Sequence, residues 1–141
     1  MLFVSELPLW PMDQGYRVHG ANMAKTLASH GLKVGLATLR PADEMTPGWM
    51  QELTLDWPKA MPSDLKRFAL GWSGKLQGVR QRVAGHQAIN PAELAGLLPL
   101  IEQTRPRAVV ALGQHGPMLL RGLSFAYPKL PRVWYAADEP V

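Results

Sequence analysis

Short apolar runs alternate with stretches of helical periodicity along this chain. Residues 2–4 form the first apolar run, and residues 34–39 and 108–112 form two longer ones. Continuous runs of this kind are typical of strands that are covered on both faces. Between the first two runs, apolar positions recur at helical spacing over about 17–30. The pattern therefore predicts strands and helices in alternation.

Residues suited to helix ends support these boundaries. Gly31 follows the first predicted helix as a stop. Asn90, Pro91 and Glu93 form a capping box with proline at the first helical position, and Pro106 ends the helix that they start. The other predicted elements are a short strand over 53–55, a short helix from Pro117 and a strand over 132–136.

Alternation of strand and helix predicts an α/β fold, a three-layer Rossmann-like domain with a mostly parallel sheet. The length of 141 residues predicts one domain over 1–141. The chain ends directly after its last predicted strand, without a helix to cover that strand. We therefore expect it to be part of a longer protein.

Composition narrows the class of protein. No run of eighteen apolar residues occurs, and no basic segment precedes an apolar one at the start, so we expect a cytoplasmic globular protein. The absence of cysteine excludes disulfides and thiolate chemistry, and the four histidines lack metal-ligand spacing, so we expect no metal. The 15 Lys and Arg residues outnumber the 11 Asp and Glu residues, which indicates an anionic partner. Because the cations are not interleaved with aromatic residues, nucleic acid is not expected.

Glycine and polar residues follow three of the predicted strands, at the sheet edge where ligands bind in parallel α/β folds. Gly15 and Arg17 follow the first strand, His115 follows the fourth, and Asp138 and Glu139 follow the fifth. If the strand order is 3-2-1-4-5, the first and fourth strands are neighbours. The loops would then open on one crevice, which we take as the candidate site.

Each candidate residue also has a structural explanation. Gly15 could be a turn residue with positive φ, and Arg17, poorly placed for the dipole in a first helical turn, could be a solvated cation. His115 could be an idle histidine of an exposed turn, and the acidic pair could be a polar strand end. Trp49 and Trp57 are predicted to pack over the sheet edge, with a sugar-stacking platform as the alternative.

In order and spacing, these residues resemble the N-terminal domain of GT-B-fold glycosyltransferases, specifically glycosyltransferase family 4 of the bacterial exopolysaccharide type. The resemblance rests on Gly-Tyr-Arg-Val at 15–18, on the helix end and second strand over 27–38, on 105–110 followed by His-Gly at 115–116, and on 132–139 with its acidic end. It covers nearly the whole chain and is weakest between about 41 and 90.

The resemblance implies a retaining enzyme that transfers a sugar from a nucleotide-sugar donor to a glycan or lipid-linked acceptor, without metal or cofactor. It implies that His115 is the catalytic histidine, that Gly15 and Arg17 approach the donor phosphates, and that Asp138 and Glu139 line the substrate site. The donor-binding C-terminal domain is absent from these 141 residues, so we expect the chain alone to be inactive. The alternative is a non-catalytic Rossmann-like module that binds a nucleotide or a partner.

A second basic feature lies over 65–87, where five Lys and Arg residues accompany an apolar stripe at helical spacing. A basic amphipathic helix can lie on an anionic leaflet. We therefore expect possible peripheral contact with the inner face of the membrane. The alternative is that the stripe packs on the sheet and the cations face water.

Overall fold

The computed structural model describes residues 1–13, 15–39, 45–55, 91–113 and 116–136. In these ranges it contains five strands and four helices. They are β1 (Leu2–Ser5), α1 (Gly15–Ser29), β2 (Gly35–Thr38), α2 (Gly48–Gln51), β3 (Thr54–Leu55), α3 (Pro91–Thr104), β4 (Val109–Leu112), α4 (Gly116–Ala126) and β5 (Arg132–Tyr135). The predicted stripe over 65–87, the capping residue Asn90 and Trp57 lie outside the described residues.

The five strands form one parallel sheet in the order β3-β2-β1-β4-β5. This is the order 3-2-1-4-5 that the crevice hypothesis assumed, so that assumption is confirmed. Strand β1 is central, with Leu2 opposite Gly35 of β2 on one side and Val109 of β4 on the other. Strands β2 and β3 are therefore added on one side of β1, and strands β4 and β5 on the other side.

The side chains of β1 alternate between two apolar layers, one on each face of the sheet. Leu2 and Val4 pack with the leucines of α3 and α4, whereas Phe3 packs with Ala21 and Ala24 of α1. The sheet is thus covered on both faces, which explains why its strands have continuous apolar sequences. The predicted three-layer α/β architecture is confirmed.

Helix α1 begins at Gly15, two residues before the predicted start, and ends at Ser29, one residue before the predicted end. Gly31 follows it as the predicted stop. Gly31 has a φ of 80°, its N–H donates to the Ala28 carbonyl at 3.0 Å, and the Leu32 N–H donates to the Leu27 carbonyl at 3.2 Å. This pair of bonds is a Schellman motif, in which glycine tolerates the left-handed conformation. The motif turns the chain into β2.

Trp49 of α2 is half-buried against the layer of Phe3 and α1, and the Lys25 ammonium lies 5.4 Å from the centre of its ring. The predicted packing role of Trp49 is confirmed. Among the described helices, none has the length and apolarity that a bilayer-spanning helix requires.

Tyr127, which follows α4, is expected to ionise at unusually high pH. Its hydroxyl donates to Glu102 Oε1 at 3.3 Å, and burial, followed by the charge of Glu102, raises the pKa of the phenol above its usual 10.0. Because the folded protein holds this proton more tightly than the unfolded chain, the phenol stabilises the fold below pH 10, and this contribution is lost as the pH rises through the folded pKa.

Ionisation of Tyr127 is measured by ultraviolet absorbance as the pH is raised. Subtracting the titration curve of Tyr127→Phe from that of the unmodified protein isolates this phenol. Glu102→Gln is the companion variant, and it should move the midpoint down towards the ordinary tyrosine value. A midpoint at or below the ordinary value in the unmodified protein would show that the contact with Glu102 is not maintained in solution.

Candidate functional site

The carboxyl ends of the strands form one edge of the sheet, here called the carboxyl edge. Ser5 of β1 lies between Thr38 of β2 and Leu112 of β4, and Tyr135 of β5 is the next residue in the row. The loops that begin at this row lead to α1 and α4 and beyond β5. Three predicted site residues, His115, Asp138 and Glu139, lie outside the described residues, so their roles stay predictions.

Helix α1 lies against the row close to where the chain changes direction. A Cβ built on Gly20 would be 2.6 Å from Leu112 Cδ1 and 3.4 Å from Leu9 Cδ2, so a side chain here would force at least the Leu112 side chain to shift. At the preceding residue, the His19 ring lies 5.9 Å from the Tyr135 ring at an angle of 40°. The first turns of α1 are therefore placed over the ends of β4 and β5.

Gly15 is the first residue of α1 and is exposed. It is not among the described glycines with positive φ, which are Gly31 and Gly113, so the explanation of Gly15 as a left-handed turn residue is wrong. A Cβ built on it would meet nothing within 4 Å. No described atom therefore lies where a side chain would begin, and close approach of a ligand remains a prediction.

Arg17 is buried, with only 9% of its surface exposed, so its interpretation as a solvated cation is wrong. Its Nη1 donates to Asp13 Oδ1 at 2.8 Å and to the Pro11 carbonyl at 3.3 Å, and Nε makes a longer contact of 3.5 Å with the Tyr16 hydroxyl. The Asp13 carboxylate offsets the unfavourable position of a cation at a helix N-terminus. Arg17 therefore fixes the β1–α1 loop from inside.

The remaining guanidinium nitrogen of Arg17, Nη2, makes no hydrogen bond to a residue that the structure describes. A guanidinium has a planar set of donors that matches phosphate geometry. Contact of Nη2 with an anion stays a prediction.

Ser5 belongs to the site, although sequence analysis gave it no role. Its side chain is buried at the end of the central strand, and its Oγ has no hydrogen-bond partner among the described residues. Buried hydroxyls without a partner are uncommon because desolvation costs free energy. No sequence signal marks Ser5, since a serine at a strand end is ordinary.

His19 was also missed, and here a signal existed. Gly15 and His19 are four residues apart, which places them on the same face of α1. His19 is exposed and contacts Tyr135 at the carboxyl edge. Helical spacing from Gly15 could therefore have identified His19.

The two glycines on either side of residues 114–115 are held by Trp134. Gly113 has a φ of 83°, and its carbonyl accepts a hydrogen bond from Trp134 Nε1 at 3.0 Å. A Cβ built on Gly116 would be 2.6 Å from Trp134 Cδ1, so only glycine lets the start of α4 approach this ring. The ends of the predicted histidine loop are thus fixed at the carboxyl edge.

The carboxyl edge is suited to an anionic ligand. Helices α1 and α4 both begin there, and neither has an acidic residue in its first turn. The unpaired N–H groups and the positive ends of the helix dipoles at such termini favour negative charge. Within the described ranges, no three His, Cys, Asp or Glu side chains come together as a possible metal site.

Comparison of the chain with protein-family models, with curated proteins and with solved structures gave no match.

Proposed function

We propose that this chain is the N-terminal, acceptor-side domain of a retaining GT-B glycosyltransferase, which moves a sugar from a nucleotide-sugar to a glycan or lipid-linked acceptor. One observation carries the proposal: Arg17 is buried beneath the start of α1, beside the point where the order β3-β2-β1-β4-β5 reverses. Ligands of open parallel sheets bind at that point. The sequence resemblance supplies the reaction.

In the proposed reaction, each group of residues at the carboxyl edge has its own role. As the bond from the anomeric carbon to the diphosphate oxygen breaks, negative charge develops on the leaving diphosphate. The N–H groups of the first turn of α1 and Arg17 Nη2 stabilise that charge, as donors fixed before reaction do. His115 contacts the reacting sugar, and Asp138 and Glu139 bind hydroxyl groups at the rim. The acceptor hydroxyl oxygen forms the new bond to the same carbon and passes its proton to an oxygen of the departing diphosphate.

A non-catalytic Rossmann-like module is the second candidate, and the ion pair of Arg17 with Asp13 favours it. In that case Arg17 only holds the loop, and the carboxyl edge binds a nucleotide or a partner without chemistry. The two candidates differ in the length of reading frame that they require after Val141. A transferase requires a second, donor-binding domain of about 150–250 residues.

The deciding experiment expresses the complete reading frame and measures release of nucleoside diphosphate from a panel of nucleotide-sugars with polysaccharide and lipid-linked acceptors. We expect product only with donor and acceptor together, and we expect a loss of turnover in His115→Ala. His86→Ala is the matched control because it removes a histidine that the proposal does not use. A frame that ends near Val141, or a full-length protein that binds nucleotide at this edge without transfer, would favour the second candidate.

A further inference from the structure

The edge of the sheet opposite the candidate site is strongly basic. Strands β2, β1, β4 and β5 begin there, and helices α1, α3 and α4 end there. The connecting segments carry four exposed cations, and Arg132, the first residue of β5, adds a half-buried fifth. These residues, here called the cationic edge, are Lys33, Arg105, Arg107, Lys129 and Arg132.

The backbone places these cations side by side. The Met1 amine donates to the Lys33 carbonyl at 2.6 Å, and the Leu2 N–H donates to the Ala108 carbonyl at 3.0 Å. Lys33, the amine and Arg107 thus occupy neighbouring strand starts. Burial, and then the positive charge of Arg107, lower the pKa of that amine, as expected for cations crowded on one edge.

Little negative charge offsets the cationic edge. Among the described residues, the carboxylates at this edge are Glu102 near the end of α3, which accepts the Tyr127 hydroxyl, and the exposed Glu52 between α2 and β3. Arg132 is held in place because its Nη1 donates to the Tyr127 carbonyl at 2.8 Å. The exposed cations therefore present a field of one sign to an approaching partner.

Neither stabilisation of helix ends nor pairing with a second copy of the chain explains these cations. Cations stabilise a helix C-terminus chiefly within its last turn, and the last turns of α1, α3 and α4 contain no basic residue. Pairing with a second copy through the same edge would bring like charges together. The charge therefore points to an anionic partner.

Exposed apolar side chains flank the cations on both faces of the sheet. Leu32, next to Lys33 at the end of α1, is 47% exposed, and Phe125, in the last turn of α4, is 50% exposed. Such side chains gain by entering the boundary between headgroups and acyl chains, whereas a phosphate backbone offers them little. We propose that the cationic edge docks on the surface of an anionic lipid bilayer.

Sedimentation with vesicles tests this proposal. The protein is mixed with vesicles of phosphatidylcholine alone or with added phosphatidylglycerol, at low and high salt. We expect binding to the anionic vesicles only, with loss at high salt. In Lys33→Ala/Arg107→Ala, the partition coefficient should fall by about 25-fold, since each cation near such a surface contributes about fivefold. Leu32→Ala should weaken binding by about fivefold without changing the salt dependence.

Lys25→Ala/Arg121→Ala is the matched control, because it removes the same charge from exposed positions in the bodies of α1 and α4. It should change partitioning by less than about twofold. Thermal unfolding of both double variants verifies that they are folded. Equal losses in the two would mean attraction by net charge alone and would overturn the proposal. The proposal would also be overturned if Lys33→Ala/Arg107→Ala bound as well as the unmodified protein, or if the unmodified protein did not bind anionic vesicles. Tighter binding to duplex DNA than to anionic vesicles would overturn it as well.

Discussion

Replacement of Phe3 by alanine is expected to lower the free energy of unfolding by about 3–5 kcal/mol. Phe3 is 1% exposed in the central strand, and its neighbours in register are Leu36 of β2 and Val110 of β4, both buried on the face that α1 covers. Truncation removes apolar contact in the middle of that layer and leaves a cavity that three strands and a helix cannot close. Domains of this size are stable by about 5–15 kcal/mol, so the loss is a large fraction of the total.

Urea unfolding followed by circular dichroism measures this loss. Phe125→Ala is the matched control, because the same atoms are removed from a side chain that is 50% exposed. We expect that variant to change the free energy of unfolding by less than about 1 kcal/mol. Equal effects of the two substitutions would contradict the assignment of Phe3 to the core.

The second large effect concerns Arg17 in the full-length protein. If Arg17 Nη2 stabilises the leaving diphosphate, Arg17→Ala should reduce kcat/KM by about 10- to 1000-fold, and His115→Ala should fall in the same range. The sequence suggested that neither substitution would touch the core. For Arg17 that expectation is wrong, because its guanidinium is buried with the β1–α1 loop. Loss of activity in Arg17→Ala alone therefore cannot separate a charge contact from a disordered loop.

Asp13→Asn separates these two roles. The substitution removes the ion pair at 2.8 Å but retains the guanidinium. If Arg17 contacts the diphosphate, steady-state kinetics should show a far smaller loss of kcat/KM in Asp13→Asn than in Arg17→Ala, and Arg17→Lys should recover only part of the activity because lysine lacks the planar donor set. Equal losses in Asp13→Asn and Arg17→Ala would assign Arg17 to loop fixation alone.

Much of the fold was predictable because burial restricts which residues a position can hold. Strands covered on both faces need continuous apolar residues, as β4 has at Val109–Leu112. Gly31 marked a helix end because glycine tolerates the left-handed conformation, and Pro106 marked one because proline cannot continue a helix. The parallel sheet followed from the alternation of the elements.

Helix α2 was not predicted, since four residues are too few to show a period. Its residue Met50 is fully buried, and Gln51 Nε2 donates to the Thr46 carbonyl at 2.7 Å. Pro99 lies inside α3, where proline removes a backbone donor and is normally disfavoured. In both helices, packing on the sheet outweighs local preference, and packing partners far away in sequence are not visible in a local pattern.

Sequence analysis predicted which edge of the sheet carries the candidate site, but not how the side chains are arranged there. Parallel strands bring the loops after β1, β4 and β5 to one side, and that inference needs no side-chain detail. Whether a side chain in the first turn of a helix turns inward, as Arg17 of α1 does towards Asp13, depends on the path of the loop before it. The Ser5 hydroxyl, which has no hydrogen-bond partner among the described residues, lies where three strands end side by side, so no residue near it in sequence marks it.

The position of β1 has a consequence for synthesis of the protein on the ribosome. Leu2 lies opposite Val109, so β1 completes its pairing only after the residues between the two strands and β4 itself have been translated. Until then Leu2, Phe3 and Val4 can pair on one side with β2 but expose the other side. Sheets built from such distant pairs form slowly, and their unpaired strands are prone to aggregation. A nascent chain paused before β4 is therefore the state in which we expect chaperone capture to matter most.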